Sequence, residues 1–407
     1  MKMWIKKVFG FGLASFFGDF SHEMTISLIP LLVTQFVGAA LAPIYLGLIA
    51  SIGDACASIV RLFSGLMSDR LSRKKPLIML GYGITALFSM LVGFTNSIGQ
   101  LFLCRVLAFT GSGLREPPRD ALIATVIEPE HYGRAFGLRN AMDTLGALGG
   151  PLFAFFCAGI FSLKELFALS FIPGICTVLA ILFFTHDAEK NTTPPKISKK
   201  TLSLLHDFMQ LPYAFKLFTG TLFIFDLCNF NKLLLLARTQ EMLGLDLATG
   251  VQSMVLLYAL FNIVRACSEL IIGFISDRFN KIILLAFIGC GLFAYVAFLL
   301  MPAHASFGYS ASVFSLAGIS AAAFTTLKKA CAAEMLPAEI RGTGYGVLQA
   351  CEGFATLISS ALVGFLWSYY SATISFSYVI FLSLLSLILL LRLARFNISF
   401  PKTPILW

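Results

Sequence analysis

The strongest constraint on this chain is the near-continuity of its apolar runs. Windows bounded by charges and turn residues fall at 8–37, 43–68, 76–96, 99–127, 135–160, 166–185, 217–236, 249–276, 282–301, 307–333, 343–367 and 372–391. Each is long enough to cross a bilayer as a helix, which takes about 20 apolar residues. Of the 407 residues, 58% are hydrophobic and 13% charged, against about 25% charged in an ordinary soluble protein. Such a chain cannot clothe a water-soluble globule, which excludes a soluble enzyme, a disordered chain and a secreted module. Hydrocarbon tolerates only helices and closed barrels. Long runs without period-2 alternation choose helices, so the expected fold class is an all-α membrane protein with twelve transmembrane helices.

The one long polar interval, near 186–216, divides the spans six and six. The expected domains are therefore an N-terminal six-helix bundle over 1–185, a linker over 186–216 and a C-terminal six-helix bundle over 217–407. Lys2, Lys6 and Lys7, the cluster Arg70, Arg73, Lys74 and Lys75, the linker lysines, Arg278, Lys281, Arg341, Arg392 and Arg395 all fall on one side of that topology. Only Lys164 and Arg238 fall on the other. The positive-inside rule then puts both termini and the linker in the cytoplasm, in a multi-pass protein of the inner membrane. The net charge of +9 follows from topology and requires no nucleic-acid partner. The N-terminal stretch has the basic start and apolar run of a signal peptide, but Asp19 and Glu23 sit inside it, so it is read as an uncleaved first helix. The nine cysteines lie in apolar stretches and read as small buried hydrophobes with no disulfide.

The chain repeats itself. GLMSDR at 65–70 recurs as GFISDR at 273–278, an offset of 208. At offsets of 207 to 209, Asp19 aligns with Asp226, Asp54 with Asn262, Arg61 with Glu269, Arg119 with Lys328, Gly137 with Gly346, and Asp143 with Glu352. Two homologous halves with an even number of helices each must run parallel, related by an axis along the membrane normal. That is one of the architectures of secondary transporters.

At these residues the chain resembles the major facilitator superfamily. GLMSDRLSRKK at 65–75 is similar to the family's loop 2–3 motif, Gly-x3-Asp-Arg-x-Gly-Arg-Arg/Lys, with Ser72 replacing the second glycine. A weaker copy occupies loop 8–9. The resemblance implies twelve helices in two pseudo-symmetric bundles. It also implies gating by Gly65, Asp69, Arg70, Arg73, Gly273, Asp277 and Arg278, as a latch between rocking halves. Physically, the glycines suit close helix packing, and the aspartates can face a helix N-terminus or a basic residue across the halves. Span 5, GLRNAMDTLGALGGPLFAF, resembles a proton-antiporter motif at Gly137, Gly146, Gly150 and Pro151, with Ala154-Phe155 in place of its closing glycine pair. SFFGDFSHEMTISLIP in span 1 and GSGLREPPRDALI in span 4 resemble a largely uncharacterised bacterial subset of the superfamily.

Charges inside the spans carry the chemistry. The acidic ones are Asp19, Glu23, Asp54, Glu116, Asp120, Asp143, Asp226, Glu269 and Glu352. The basic ones are Arg61, Arg105, Arg115, Arg119, Arg139, Lys232, Arg265, Lys328 and Lys329. Each costs at least about 2.5–3.5 kcal/mol at mid-membrane, so they must pair or line a wet cavity. Arg265 and Glu269, like Arg139 and Asp143, are four apart and can neutralise each other on one helix face. The family resemblance implies that spans 1, 4, 7 and 10 line the cavity. On that basis Arg115, Arg119, Lys328, Lys329, Lys232, Asp226 and Asn229 are candidate substrate-binding residues, since guanidinium binds carboxylate or phosphate bidentately. Asp19, His22 and Glu23, on one face of span 1, and Glu116 are candidate proton carriers. Pro117-Pro118 removes two backbone donors among the span 4 charges and is expected to break that helix.

No phosphate-binding loop, metal-ligand cluster or nucleophile elbow is visible, so neither a cofactor nor an enzymatic activity is expected. The sequence reads as a monomeric, proton-coupled secondary transporter in the lipid bilayer. Its small-molecule substrate is expected to be an organic anion or zwitterion, with a polycarboxylate such as a siderophore as one candidate. The alternatives are a proton-driven multidrug efflux antiporter and an uncoupled facilitator or lipid scramblase.

Overall fold

The computed structural model describes residues 3–38, 41–185, 187, 208–230, 232–244 and 247–395, and these contain helices and connecting turns, with no strand among them. In chain order the helices are α1 (Met3–Val37), α2 (Ala42–Arg70), α3 (Lys75–Leu91), α4 (Ile98–Val126), α5 (Tyr132–Cys157) and α6, which runs as Leu163–Leu169 (α6a) and Phe171–Phe184 (α6b). The second half comprises α7a (Tyr213–Asp226) and α7b (Lys232–Leu243), then α8 (Leu247–Ser276), α9 (Lys281–Leu299), α10 (Phe307–Met335), α11 (Arg341–Tyr369) and α12 (Ala372–Arg395). α9 contains a π-helical segment, Leu285–Gly291. The stretch read as a linker lies largely outside the described residues, and α7a begins within it. Arg238, read as a loop residue, sits inside α7b instead. There it caps carbonyls of the α9–α10 turn at Leu300 and Pro302 (2.9 and 2.8 Å).

By length and composition, eight helices among the described residues can cross a membrane. The four that miss that test are the interrupted α7 and the charge-bearing α1, α4 and α5. Their buried ionisable residues lower the hydropathy of segments that pack inside the bundle.

Glycine sets how close the halves come. α2 packs on α11, and α5 on α8, along the seam between them. A Cβ on Gly273 would sit 2.6 Å from the Gly133 carbonyl oxygen, and one on Gly342 would sit 2.5 Å from that of Gly65. The seam is therefore built backbone to backbone, as small residues permit in membranes. The span 5 glycines serve the same end. Gly137 meets Glu269 and Gly273 of α8, while Gly146 and Gly150 meet the α1 backbone at Phe16 and Phe20. Pro151 continues α5 without ending it.

α4 does not break. It runs unbroken from Ile98 to Val126 through both prolines. Pro117 leaves the Gly113 carbonyl without its helical donor. Ser64 of α2 supplies the replacement, its Oγ donating to that carbonyl at 2.8 Å. The break lies in span 7, between Asp226 and Lys232. Its freed backbone is satisfied from α12, where Tyr378 Oη donates to the Leu227 carbonyl at 3.0 Å.

Candidate functional site

Between the halves lies a cavity of about 560 Å³ whose walls carry both signs of charge. Arg61, Arg139, Arg265, Lys328 and Lys329 face Asp54, Glu116, Asp143 and Glu352, with Asn140, Thr325 and Gln349 between them. These residues come from α2, α4, α5, α8, α10 and α11. The expectation that spans 1, 4, 7 and 10 form the wall holds for α10 and for Glu116 alone on α4. α1 and α7 stand behind it.

Most of the charges are paired. Arg61 Nε donates to Glu116 Oε2 at 2.8 Å, and Ser112 holds the other Glu116 oxygen at 2.8 Å, so Glu116 is a fixed counter-ion. The two i,i+4 pairs form as the spacing requires, Arg139–Asp143 at 2.6 Å and Arg265–Glu269 at 3.1 Å. Glu269 also accepts from Thr144 of α5 at 2.9 Å, which ties the halves together. Lys328 pairs with Glu352 of α11 at 2.5 Å.

Arg115 and Arg119 point away from the cavity, and Tyr82 of α3 is the reason. The Arg115 guanidinium lies over its ring at 4.2 Å, and Arg119 Nη1 donates to its hydroxyl at 2.9 Å. Nothing in the sequence marks Tyr82, a neutral aromatic in an apolar span. Of the residues expected to bind substrate, Lys328 and Lys329 line the cavity. Asp226 and Asn229 lie together at the α7 break, and Asp226 Oδ1 is buried and unpartnered among the described residues. The side chain of Lys232 lies outside the described residues.

Asp120 closes the floor. Its Oδ2 accepts from Lys329 Nζ and from Gln349 Nε2, both at 2.9 Å, and its Oδ1 lies 3.3 Å from Arg119 Nε. Asp120 and Lys329 are repeat-equivalent at the 209 offset, so a bond between them must lie near the pseudo-two-fold axis. Arg119 and Lys328 therefore do not meet face to face. Asp120 stands between Arg119 and α10, and Lys328 turns to Glu352.

Below the floor, the repeated motif makes two matching contacts. Asp69 accepts from the Gly342 and Thr343 amides at the start of α11 (2.8 and 2.6 Å) and lies 3.4 Å from Lys74. Asp277 accepts from the Gly133 and Arg134 amides at the start of α5 (2.8 and 3.2 Å) and pairs with the Arg134 side chain at 3.0 Å. Each carboxylate sits where a helix N-terminus favours negative charge. Arg341 adds a third tie across the halves, donating to the Ala124 carbonyl and the Tyr132 hydroxyl (2.6 and 2.8 Å). Arg70, Arg73 and Arg278 are exposed, Arg70 with a partner of its own. Glu128, in the α4–α5 turn at the same end, is held below the usual carboxylate range by its hydrogen bond from Lys7.

Among the proton-carrier candidates, Asp19 interacts with the Asp143 carboxyl across the α1–α5 contact. Two carboxylates side by side repel when both are ionised, so such a pair is suited to sharing one proton. Arg115 Nη2 stands 4.0 Å from Asp19. His22 packs edge-on against Phe109, with Nδ1 buried and unpartnered. Glu23 is engaged. Asp143, the residue Asp19 meets, is not among the expected proton carriers, and its repeat equivalence with Glu352 was the available signal.

Comparison with known proteins gives a consistent family. The Major Facilitator Superfamily model matches residues 11–315 and 256–404. An uncharacterised MFS-type transporter of Methanocaldococcus jannaschii is 29% identical over 395 residues, covering 95% of this chain and 94% of the relative. The multi-drug resistance efflux pump PmrA of Streptococcus pneumoniae is 28% identical over 210 residues, covering 50% of this chain and 51% of the pump. Among solved structures, the human organic anion transporter MFSD10 superimposes with a TM-score of 0.78 at 16% identity, covering 96% of this chain and 100% of that one.

Proposed function

The chain belongs to the major facilitator superfamily, and from that premise we propose that it is a secondary active transporter that moves a small organic anion or zwitterion across the inner membrane by alternating access, coupled to protons. The observation that carries this reading is the cavity wall of arginine and lysine set against aspartate and glutamate. Guanidinium groups on α5 and α8 offer paired donors to a carboxylate or phosphate. Asp54 and Glu352 offer a seat to an ammonium group. A polycarboxylate such as a siderophore suits several basic residues spread over 560 Å³.

In this reading residues 1–185 and 217–407 are the rocking halves. The basic loops put the Asp69 and Asp277 latches, and both termini, on the cytoplasmic side. Coupling follows from competition for Arg139. A substrate anion that engages Arg139 withdraws it from Asp143, and the Asp19–Asp143 pair then retains its proton more readily. By linkage, protonating the pair frees Arg139 for substrate to the same degree. The reading is tested by a thermal-shift screen of di- and tricarboxylates, amino acids and lipophilic cations at two pH values. Stabilisation by carboxylates that grows as pH falls, and that is lost in Arg139→Gln, is the expected result. Stabilisation by lipophilic cations alone would overturn it.

That contrary outcome would favour multidrug efflux, a second reading supported by the likeness of half the chain to the pneumococcal pump. The lining argues against it: basic side chains outnumber acidic ones and none of the lining residues is aromatic, so a lipophilic cation meets neither a net negative wall nor a ring face.

A further inference from the structure

A second cavity, of about 750 Å³, lies away from the first, between α3 and α6b. Its wall is apolar except at one end, where Arg73 and Lys75 stand at its mouth. Leu80, Leu87 and Leu182 line it and are 56, 40 and 43% exposed. In a chain that spans the bilayer, apolar side chains exposed on an outer helix face meet lipid. The groove follows α3 from Pro76 to Leu87, about 16 Å at 1.5 Å per residue. That is one leaflet of a hydrocarbon core about 30 Å thick. Gly83 forms its notch, since a Cβ there would meet nothing within 4 Å.

The C-terminal half has the same positions with the notch filled. Gly291 is the equivalent of Gly83 at the 208 offset, and Leu387 of α12 fills its notch, 2.9 Å from where a Cβ would be. The equivalent of Leu387 is Leu179, which is 42% exposed and does not line the groove. Lys281, the equivalent of Arg73, is neutralised by Glu334. Arg73 makes no ion pair among the described residues. Lys75 Nζ caps the Leu182 and Thr185 carbonyls (2.6 and 2.9 Å). Asp187, also at the mouth, is occupied by the Lys74 and Lys75 amides, both at 3.0 Å.

We propose that this groove is a binding site for an anionic phospholipid, one acyl chain lying along Gly83 and the headgroup phosphate on Arg73 beside Lys75. A basic pocket between helices at the membrane surface is suited to such a headgroup. The chain-length match makes the ligand a lipid, not a free phosphate. The test is native mass spectrometry of the full-length protein in micelles holding equal amounts of phosphatidylglycerol and phosphatidylcholine. The wild type is expected to retain phosphatidylglycerol over phosphatidylcholine by about fivefold, the effect of one basic residue at a lipid surface. Arg73→Gln, an exposed change, should abolish the preference while still retaining lipid. Gly83→Leu fills the notch and should reduce retention of both lipids. Equal retention of the two lipids by wild type, or an unchanged preference in Arg73→Gln, would overturn the proposal. So would inorganic phosphate displacing the lipid, since that would mark a simple anion site.

Discussion

The two halves present the same pair of acids in two different states. In the N-terminal half Asp19 and Asp143 interact directly, with Arg139 at 2.6 Å from Asp143 and Arg115 at 4.0 Å from Asp19. Of their repeat equivalents, Glu352 pairs with Lys328, while Asp226 is buried with its Oδ1 unpartnered among the described residues. Arg119, the equivalent of Lys328, has turned to Tyr82 and Asp120. The N-terminal acids, with no lysine bound to either among the described residues, are the pair suited to sharing a proton. In the C-terminal half the Lys328 ammonium neutralises Glu352. One inherited arrangement has thus become a carboxyl–carboxyl pair on one side and a lysine-bound carboxylate on the other.

The comparison breaks most readily at Lys328. Replacing it with methionine leaves buried carboxylates uncompensated, and removing one partner of a buried pair costs about 3–5 kcal/mol. Lys328→Met should therefore lower the melting temperature sharply, and Glu352→Gln in the same chain should recover much of the loss. In the other half Asp19→Asn should cost far less, because the amide can donate to Asp143 in place of the proton. Comparable melting temperatures for Lys328→Met and Asp19→Asn would erase the distinction.

Arg119→Gln tests whether that side chain belongs to the architecture or to substrate. It loses its bond to the Tyr82 hydroxyl and its contact with Asp120, of the order of 1.5–3 kcal/mol for a charged hydrogen bond. Stability should fall while affinity for an anionic ligand changes little. A drop in affinity of more than tenfold with unaltered melting would return Arg119 to the binding site.

The latches should respond alike in the two halves. Asp69→Asn and Asp277→Asn each keep an acceptor oxygen but lose the charge at a helix N-terminus, about 0.3–1 kcal/mol. Both should shift cysteine accessibility toward a cavity open at the basic-loop end, with expression intact. Unchanged accessibility in both would remove them from the gate. The smallest effect belongs to Lys7–Glu128, a half-exposed pair worth at most a few tenths of a kcal/mol. Because Lys7 depresses the Glu128 carboxyl, its contribution is present above the usual glutamate value and disappears as pH falls. Lys7→Gln should differ from wild type in melting at neutral pH only, and then barely.

Much of this was legible in the sequence because it is local or periodic. Apolar runs gave the spans, a constant offset gave the halves, and i,i+4 spacing gave the Arg139–Asp143 and Arg265–Glu269 pairs. What was not legible depends on partners distant in sequence. α4 stays whole through Pro117 because Ser64, on another helix, takes the freed carbonyl. α7 breaks at Asp226 with neither glycine nor proline to announce it, only Asn229 and Asn231, residue types that favour turns. Tyr82 withdraws Arg115 and Arg119 from the cavity, and no charge pattern could reveal a neutral ring as their partner.

The central claim is that the proton held between Asp19 and Asp143 couples transport. The most direct measurement compares Asp143→Asn with wild type in proteoliposomes, following transport driven by a pH gradient and substrate counterflow without one. The amide can donate to Asp19 but cannot release a proton. Gradient-driven transport should be lost and counterflow retained. Loss of both to the same extent, or gradient-driven transport at the wild-type rate, would contradict the account.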